Sequence, residues 1–192
     1  MLNTFFKDRF MWILAGVAIA ILLIIIWIYN SLIVRKNQVE NVFSTVDVML
    51  KKRYDLIPPL VETVKGYVRH ERETLETITQ LRAKAVSGTI TDDQKIQLGD
   101  AVTKLLPAIF AVAENYPNLK ASINFLNLQR NLTELEEQIS AARRAFNAAV
   151  NDYNNAVEMF PTNIAASVMG YKRKNYFEIP EIQKQVPSVG MS

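Results

Sequence analysis

A long uncharged segment near the N-terminus constrains this chain more than any other feature. Residues 10–34 contain no Asp, Glu, Lys or Arg, and most of them are large and apolar. About 20 consecutive apolar residues, coiled into a helix, cross the roughly 30 Å hydrocarbon core of a bilayer. The segment exceeds this length, so the sequence predicts a transmembrane helix over residues 10–34 that contacts the lipid bilayer.

We interpret this segment as a retained anchor and not as a cleaved signal peptide. It is too long for a signal peptide, and no convincing small-x-small cleavage site precedes Arg35. Trp12, Trp27 and Tyr29 lie near its ends, where amphipathic rings favour the membrane–water interface. Basic residues flank both ends, so the positive-inside rule leaves the side of the soluble domain undetermined.

The rest of the composition excludes several classes of function. The 192 residues include no Cys and one His, so disulfides, thiol nucleophiles and Cys-ligated zinc are ruled out. His70-Glu71 has no second His to complete a zinc motif, and no Gly-rich phosphate loop is present. The net charge of +3 is not clustered, which argues against nucleic-acid binding. We expect no catalytic residue, no cofactor, no metal and no nucleic-acid partner.

Apolar residues after the anchor follow alternating steps of four and three, the period of a coiled-coil seam. Pro58 and Pro59 interrupt the pattern, and each removes a backbone donor and should bend a helix. The seam stays in phase on both sides, so we predict one long helix over residues 39–85, kinked at the two prolines and continuous with the anchor or nearly so. The seam positions are Val39, Phe43, Val46, Leu50, Arg53, Ile57, Leu60, Val64, Tyr67, Glu71, Thr74, Ile78, Leu81 and Ala85.

Two charged residues, Arg53 and Glu71, occupy seam positions. They are 18 residues apart, about 27 Å along a helix, and therefore cannot pair with each other. One interpretation is that both side chains extend to the bundle edge and keep their charges in water. The other is that each pairs with another helix or subunit, because burial of an unpaired charge is costly. In that case they would set helix register or partner choice.

The remaining sequence predicts further helices joined by short reversals. Residues 87–90 form the first reversal, and Thr91 with Gln94 has the spacing of a capping box at the next helix start. This second helix runs to Ala113, and a third covers residues 118–160. The predicted fold class is all-α: an N-terminal transmembrane helix followed by an antiparallel bundle of long helices.

The predicted third helix is much longer than the second, about 43 residues against about 25. An antiparallel hairpin would leave residues 146–160 and 39–50 with apolar stripes that lack an obvious intrachain partner. Exposed stripes of this kind usually mark an interface, so Phe146, Tyr153 and Phe160 are candidate interface residues. A rearranged bundle in which the two stretches cover each other is the open alternative.

Several of these residues together resemble the signature of the LemA family. The resemblance extends over nearly the whole chain, with Pro59 where the family commonly has Asn. It implies a bacterial membrane protein with an antiparallel helical domain and no established enzymatic role. The matching residues are DVMLKKRYDLIPPLVETVKGY at 47–67, His70-Glu71, the segment 114–121, Asn124-Phe125, Arg143-Arg144-x-Phe-Asn147 and Tyr153-Asn154.

From the residues and the resemblance we expect a non-enzymatic assembly or scaffold protein at the bacterial inner membrane. It would cross the membrane once, act through helix–helix contacts and form a homo-oligomer. The alternative is an adaptor or accessory subunit of a membrane protease or envelope-remodelling enzyme, with a membrane-protein partner that is not identified. We divide the chain into an N-terminal flank (1–9), the transmembrane helix (10–34), a bundle domain (35–170) and an irregular tail (171–192).

Overall fold

The structure is a computed structural model that describes residues 2–68, 72–88 and 90–177, with side chains from residue 10 onward. Every regular element in these ranges is helical, which confirms the predicted all-α fold with a long apolar N-terminal helix followed by a helical bundle. The elements are α1 (Leu2–Lys65), α2 (Arg72–Ala85), α3 (Asp92–Val112), a 3₁₀ turn (Ala113–Asn115), α4 (Pro117–Lys120), α5 (Ile123–Glu158) and α6 (Thr162–Val168).

The N-terminal half of α1 carries the uncharged segment. The side chains of residues 10–27 are all exposed, a surface consistent with contact to a lipid bilayer. Among the described residues, two helical stretches are long and apolar enough to cross a membrane, Phe10–Lys65 and Asp92–Asn115. The second of these contains α3, whose residues Val102 and Ile109 are buried in the protein. Length and composition alone therefore do not identify α3 as a membrane span.

The continuous helix predicted over residues 39–85 is wrong. α1 passes through both prolines but ends at Lys65, and α2 begins at Arg72. Ile78 of α2 is nevertheless buried, as its seam position predicts. A heptad pattern fixes which face of a segment is apolar, but it does not require the backbone to stay helical through Gly66, one of the weakest helix formers.

The second predicted helix begins where the sequence indicated. Gly88 adopts a positive φ of 75° in the reversal after α2, a conformation that favours glycine. The Thr91 hydroxyl accepts from the Gln94 backbone N–H (3.3 Å), and the Gln94 side-chain oxygen accepts from the Thr91 N–H (2.8 Å). The predicted capping box is therefore confirmed. From this start α3 packs back against α2.

The chain forms two compact units. The first unit contains residues 1–41 and 148–174, and the second contains residues 42–147 and 175–192, so α1 and α5 each contribute to both. The first has a small apolar cluster where α1, α5 and α6 meet. In the second, α1, α3 and α5 supply most of the buried apolar side chains. The predicted domain boundaries at 34/35 and 170/171 stay predictions.

Most of the two stripes that we expected to lack an intrachain partner is covered by the chain itself, although Phe160 at the end of the second stripe is exposed. Val39 is buried in the first unit, and Val46 and Leu50 are buried in the second. Within the second unit, the rings of Phe43 and Phe146 lie 5.7 Å apart. For these residues the rearranged bundle is therefore the correct alternative, because Phe43 of α1 packs against Phe146 of α5.

Candidate functional site

The second unit contains a set of polar side chains from three helices, arranged around two buried arginines. Arg53 of α1 is 0% exposed and does not extend to the bundle edge. Its Nη1 donates to Thr103 Oγ1 (2.8 Å) and to the carboxylate of Glu136, and its Nη2 donates to the carbonyl of Gly99 (2.8 Å). One guanidinium group thereby joins α1 to α3 and α5.

A second arginine reaches the same part of α3 from α5. Arg143 is buried, and its Nη1 lies 2.6 Å from Asp100 Oδ1. Its guanidinium carbon also lies 5.2 Å from the centre of the Phe177 ring, within the range of a cation–π contact. We call Arg53, Asp100, Thr103, Glu136 and Arg143 the polar cluster.

Gly99 makes room for the two guanidinium groups. A Cβ atom at this position would lie 3.3 Å from Arg143 Nη2, 3.5 Å from Arg53 Nη2 and 3.2 Å from Leu50 Cδ2. Glycine inside a helix costs about 1 kcal/mol relative to alanine. Here the missing side chain lets α1 and α5 approach the α3 backbone with both arginines between them.

The charged side chains of the polar cluster are paired with one another. Each of its carboxylates faces a guanidinium group, Glu136 that of Arg53 and Asp100 that of Arg143. Buried ion pairs of this kind are weak evidence of added stability, and their best-attested use is to select one register over others. In the part of the chain that the structure describes, no group of three or more His, Asp and Glu side chains could hold a metal ion.

Burial raises the pKa values of two tyrosines, Tyr54 and Tyr153. Burial raises the pKa of Tyr54, and the positive charge of the adjacent Arg53 opposes part of that rise. The Tyr54 hydroxyl makes no hydrogen bond within the described residues. In the first unit, burial likewise raises the pKa of Tyr153, with Tyr171 and Glu40 adding to the rise.

The structure describes some of the residues predicted from the seam but not all of them. Arg53 has its partner in Glu136 of the same chain, whereas Glu71 lies outside the described residues. α1 is helical across Pro58 and Pro59, and a kink there stays a prediction. A role for Arg53 and Glu71 in register or partner choice also stays a prediction.

The three candidate interface aromatics have different surroundings. Phe146 is buried, with its ring 5.0 Å from that of Phe177, and Tyr153 is buried, with its ring 6.3 Å from that of Tyr171. Phe160 is 79% exposed. Of the three, Phe160 alone offers an open ring to a partner. An interface role for the set stays a prediction.

Two asparagines that we did not single out as site residues hold the chain after α6. Asn154 donates from Nδ2 to the Lys174 carbonyl (3.0 Å) and accepts the Lys174 N–H at Oδ1 (2.9 Å). In the second unit, Asn147 pairs in the same way with Phe177, at 3.0 and 2.8 Å. The sequence did contain a signal for this role. Asn147 and Asn154 are poor helix formers, and their spacing of seven residues places them on one face of a long helix.

In the first unit, α6 packs on the uncharged segment of α1. Ile28 and Leu32 of α1 form a buried cluster with Ala156 of α5 and Ala166 of α6. The two alanines are small, and small residues allow helices to approach closely. This contact places the end of α5 and one face of α6 alongside the last third of the uncharged segment.

The end of α6 turns the chain back toward α1. The Tyr171 N–H donates to the Ala166 carbonyl (2.9 Å), and the Gly170 N–H donates to the Ser167 carbonyl (3.1 Å). This is the Schellman pattern, which needs a positive φ at Gly170, here 68°. Tyr171 then packs on the apolar cluster and lies under Lys36, whose Nζ is 5.9 Å from the ring centre.

Comparison with known proteins agrees with the resemblance in the sequence. The model of the LemA family matches residues 42–190. Protein LemA of Metamycoplasma hominis is 26% identical over 155 residues, which cover 81% of this chain and 71% of that protein. Magnetosome protein MamQ 2 of Paramagnetospirillum magneticum is 23% identical over 175 residues, and magnetosome protein MamQ of Magnetospirillum gryphiswaldense is 24% identical over 174.

The alignments with both magnetosome proteins cover 78% of this chain but 64% of each relative, so the chain spans slightly less than two thirds of their length. None of the relatives' names is that of an enzyme. The family model covers well over half of the sequence, including every residue of the polar cluster. The chain therefore belongs to the LemA family.

Proposed function

We propose that this chain is a non-enzymatic assembly or scaffold protein, anchored in the bacterial inner membrane by a single crossing at residues 10–34. The observation that carries the proposal is the polar cluster. Its two arginines pair with the carboxylates of Glu136 and Asp100 and so link three helices of the bundle. A helical body held in one register on a membrane anchor suits a protein that works by positioning others.

The anchor has a surface that its own chain does not cover. Residues 10–27 are exposed along α1, so lipid or another membrane helix must shield them. The sequence leaves open on which side of the membrane the bundle lies, because basic residues flank both ends of the anchor. We place the crossing by the length of the uncharged segment.

Self-association is the most direct form of assembly that the anchor supports. Gly16 and Ala20 are four residues apart on one face of α1, the spacing of the small-residue motif that lets membrane helices pack closely. A Cβ atom built at Gly16 would meet nothing within 4 Å, so this face is open to a second helix. We propose that two copies of the anchor meet along it.

The mass of the full-length protein in lipid nanodiscs tests this proposal. We expect a multiple of the 21.8 kDa chain mass for the wild type, and a lower multiple for Gly16→Leu, whose side chain would hold the helices apart. Val17→Leu is the matched control, because it adds volume on a different face of α1. A wild-type protein that is monomeric at all concentrations would rule out self-association.

A pull-down with the anchored protein separates the scaffold from the alternative. Capture of a protease or envelope-remodelling enzyme in a fixed ratio would favour an accessory subunit of that enzyme. A hydrolase screen of the same preparation tests the non-enzymatic part of the proposal. Turnover that persists through purification would contradict it.

A further inference from the structure

The junction of α5 and α6 carries apolar side chains that its own chain leaves uncovered. Met159, Phe160, Ile164 and Val168 are 63%, 79%, 60% and 85% exposed, and we call them the junction patch. Ile164 and Val168 are four residues apart and share one face of α6. Because Ala166 on another face of α6 packs against α1, this short helix is apolar on both sides. The outer of these two apolar faces is the one that stays exposed.

The junction patch lies beside the membrane end of the first unit. Arg35, the first charged residue after the anchor, donates from Nη1 to the Asp152 carbonyl of α5 (3.2 Å). Ile28, which packs in the cluster with Ala166, is seven residues earlier, about 10 Å closer to the membrane centre along the helix. α6 is therefore held alongside residues of α1 that belong to the uncharged segment.

The charge pattern around the junction patch fits a membrane surface. Residues 159–171 contain no charged side chain, and Lys172, Arg173 and Lys174 follow directly. Together with Arg35 and Lys36, they make five basic residues in the part of the first unit after residue 34, which contains three acidic residues. Anionic headgroups attract such a basic excess next to an inserted apolar segment.

The Glu158–Arg173 ion pair limits how deep the patch can lie. Its Oε1 and Nη1 atoms are 2.9 Å apart, and Glu158 directly precedes Met159. A pair of charges is tolerated in the headgroup layer but not in the hydrocarbon. Four side chains are also too few to bury the roughly 1,000 Å² that a specific protein interface needs. Both points favour the membrane–water interface over a second protein.

We infer that the junction patch is a second membrane contact, which inserts into the interfacial layer of the leaflet at the C-terminal end of the anchor. This inference rests on the proposed bilayer crossing at residues 10–34. The patch lies about 5–10 Å into the boundary between headgroups and acyl chains, as amphipathic surface helices do. The transmembrane and interfacial contacts together hold the first unit in one orientation relative to the bilayer.

Site-directed spin labelling of the full-length protein tests the inference, and the absence of native cysteines makes every label unique. Ile164→Cys and Val168→Cys are labelled separately and reconstituted in vesicles of phosphatidylethanolamine and phosphatidylglycerol. Ile24→Cys reports on the anchor, and Asp152→Cys reports on the water-facing side of α5. Accessibility to oxygen, which concentrates in lipid, is compared with accessibility to a water-soluble nickel chelate.

We expect oxygen to relax both α6 labels more strongly than the nickel chelate does, with the reverse order for Asp152→Cys. A lipid-exposed Ile24→Cys label with water-exposed α6 labels would overturn the interfacial contact and leave the anchor intact. A water-exposed Ile24→Cys label would contradict the anchor itself. Dipolar broadening between α6 labels, with low accessibility to both reagents, would assign the junction patch to a second copy and overturn the inference.

Discussion

Removal of the Arg53 guanidinium tests how the polar cluster acts. Arg53→Met keeps an apolar stem of similar length but leaves the Glu136 carboxylate without its cation. The Thr103 hydroxyl can still donate a hydrogen bond to the Gly99 carbonyl, which lies 3.1 Å away. The main cost is therefore a half-buried carboxylate that faces an apolar side chain.

The expected cost follows from how much of that carboxylate water can reach. Removal of one partner of a buried ion pair typically costs about 3–5 kcal/mol of unfolding free energy. The Glu136 side chain keeps 27% of its surface exposed, so water compensates part of the loss. We expect about 3 kcal/mol, the lower end of the range. In a domain of this size it lowers the melting temperature by about 6–12 °C.

The assay is thermal unfolding of the full-length protein in mild detergent, followed by circular dichroism. Lys52→Met is the matched control, because it removes the same charge from an exposed neighbouring position and should change stability by less than about 0.5 kcal/mol. The double variant Arg53→Met with Glu136→Leu removes both charges, and we expect it to recover most of the lost stability.

Two results would refute this reasoning. If Arg53→Met melts within about 1–2 °C of Lys52→Met, the difference is about 0.5 kcal/mol or less, and the buried pair does not matter to the stability of the bundle. If the double variant loses as much stability as Arg53→Met, the cost comes from packing and not from the carboxylate left without its cation. Either outcome would remove the polar cluster as support for a fixed register.

Asn154→Ala removes the two hydrogen bonds that hold the backbone of Lys174. We therefore expect the Lys174 amide to exchange with solvent at least about tenfold faster. The exposed Asn155 provides the control variant, Asn155→Ala. Equal exchange in the two variants would mean that Asn154 does not hold this segment. Since burial raises the pKa of Tyr54, its contribution to stability is complete below the ordinary tyrosine pKa of about 10 and is lost as pH rises through the higher folded value. Tyr54→Phe should therefore change the urea midpoint little at neutral pH and flatten its decline above about pH 10, and an unchanged slope would contradict the assignment.

Features that depend on neighbours along the chain could be predicted from the sequence. The uncharged segment at 10–34 gives a long helix because every residue in it tolerates helix and none carries a charge. Thr91 and Gln94 form their capping box because three residues of spacing bring each side chain to the other's backbone. The family followed from motifs spread over nearly the whole chain.

Continuity of a helix was already harder to predict. The seam over residues 39–85 gave many of the buried positions, including Val64 and Ile78, but Tyr67 is exposed and α1 ends at Lys65. An apolar period is preserved when a chain leaves one helix and starts another against the same core. The pattern therefore cannot distinguish one long helix from two shorter ones.

Tertiary structure alone decided which side chains meet. Arg53 and Glu136 are 83 positions apart, and no local rule relates them. Phe146 and Phe160 have the same residue type on the same predicted stripe, yet one is buried against Phe177 and the other is exposed beside α6. Local propensity is set by a few neighbouring residues, whereas burial depends on which distant helix packs opposite. The sequence by itself therefore determined the all-α fold and its long apolar N-terminal helix, whereas the packing of the helices determined the polar cluster and the junction patch.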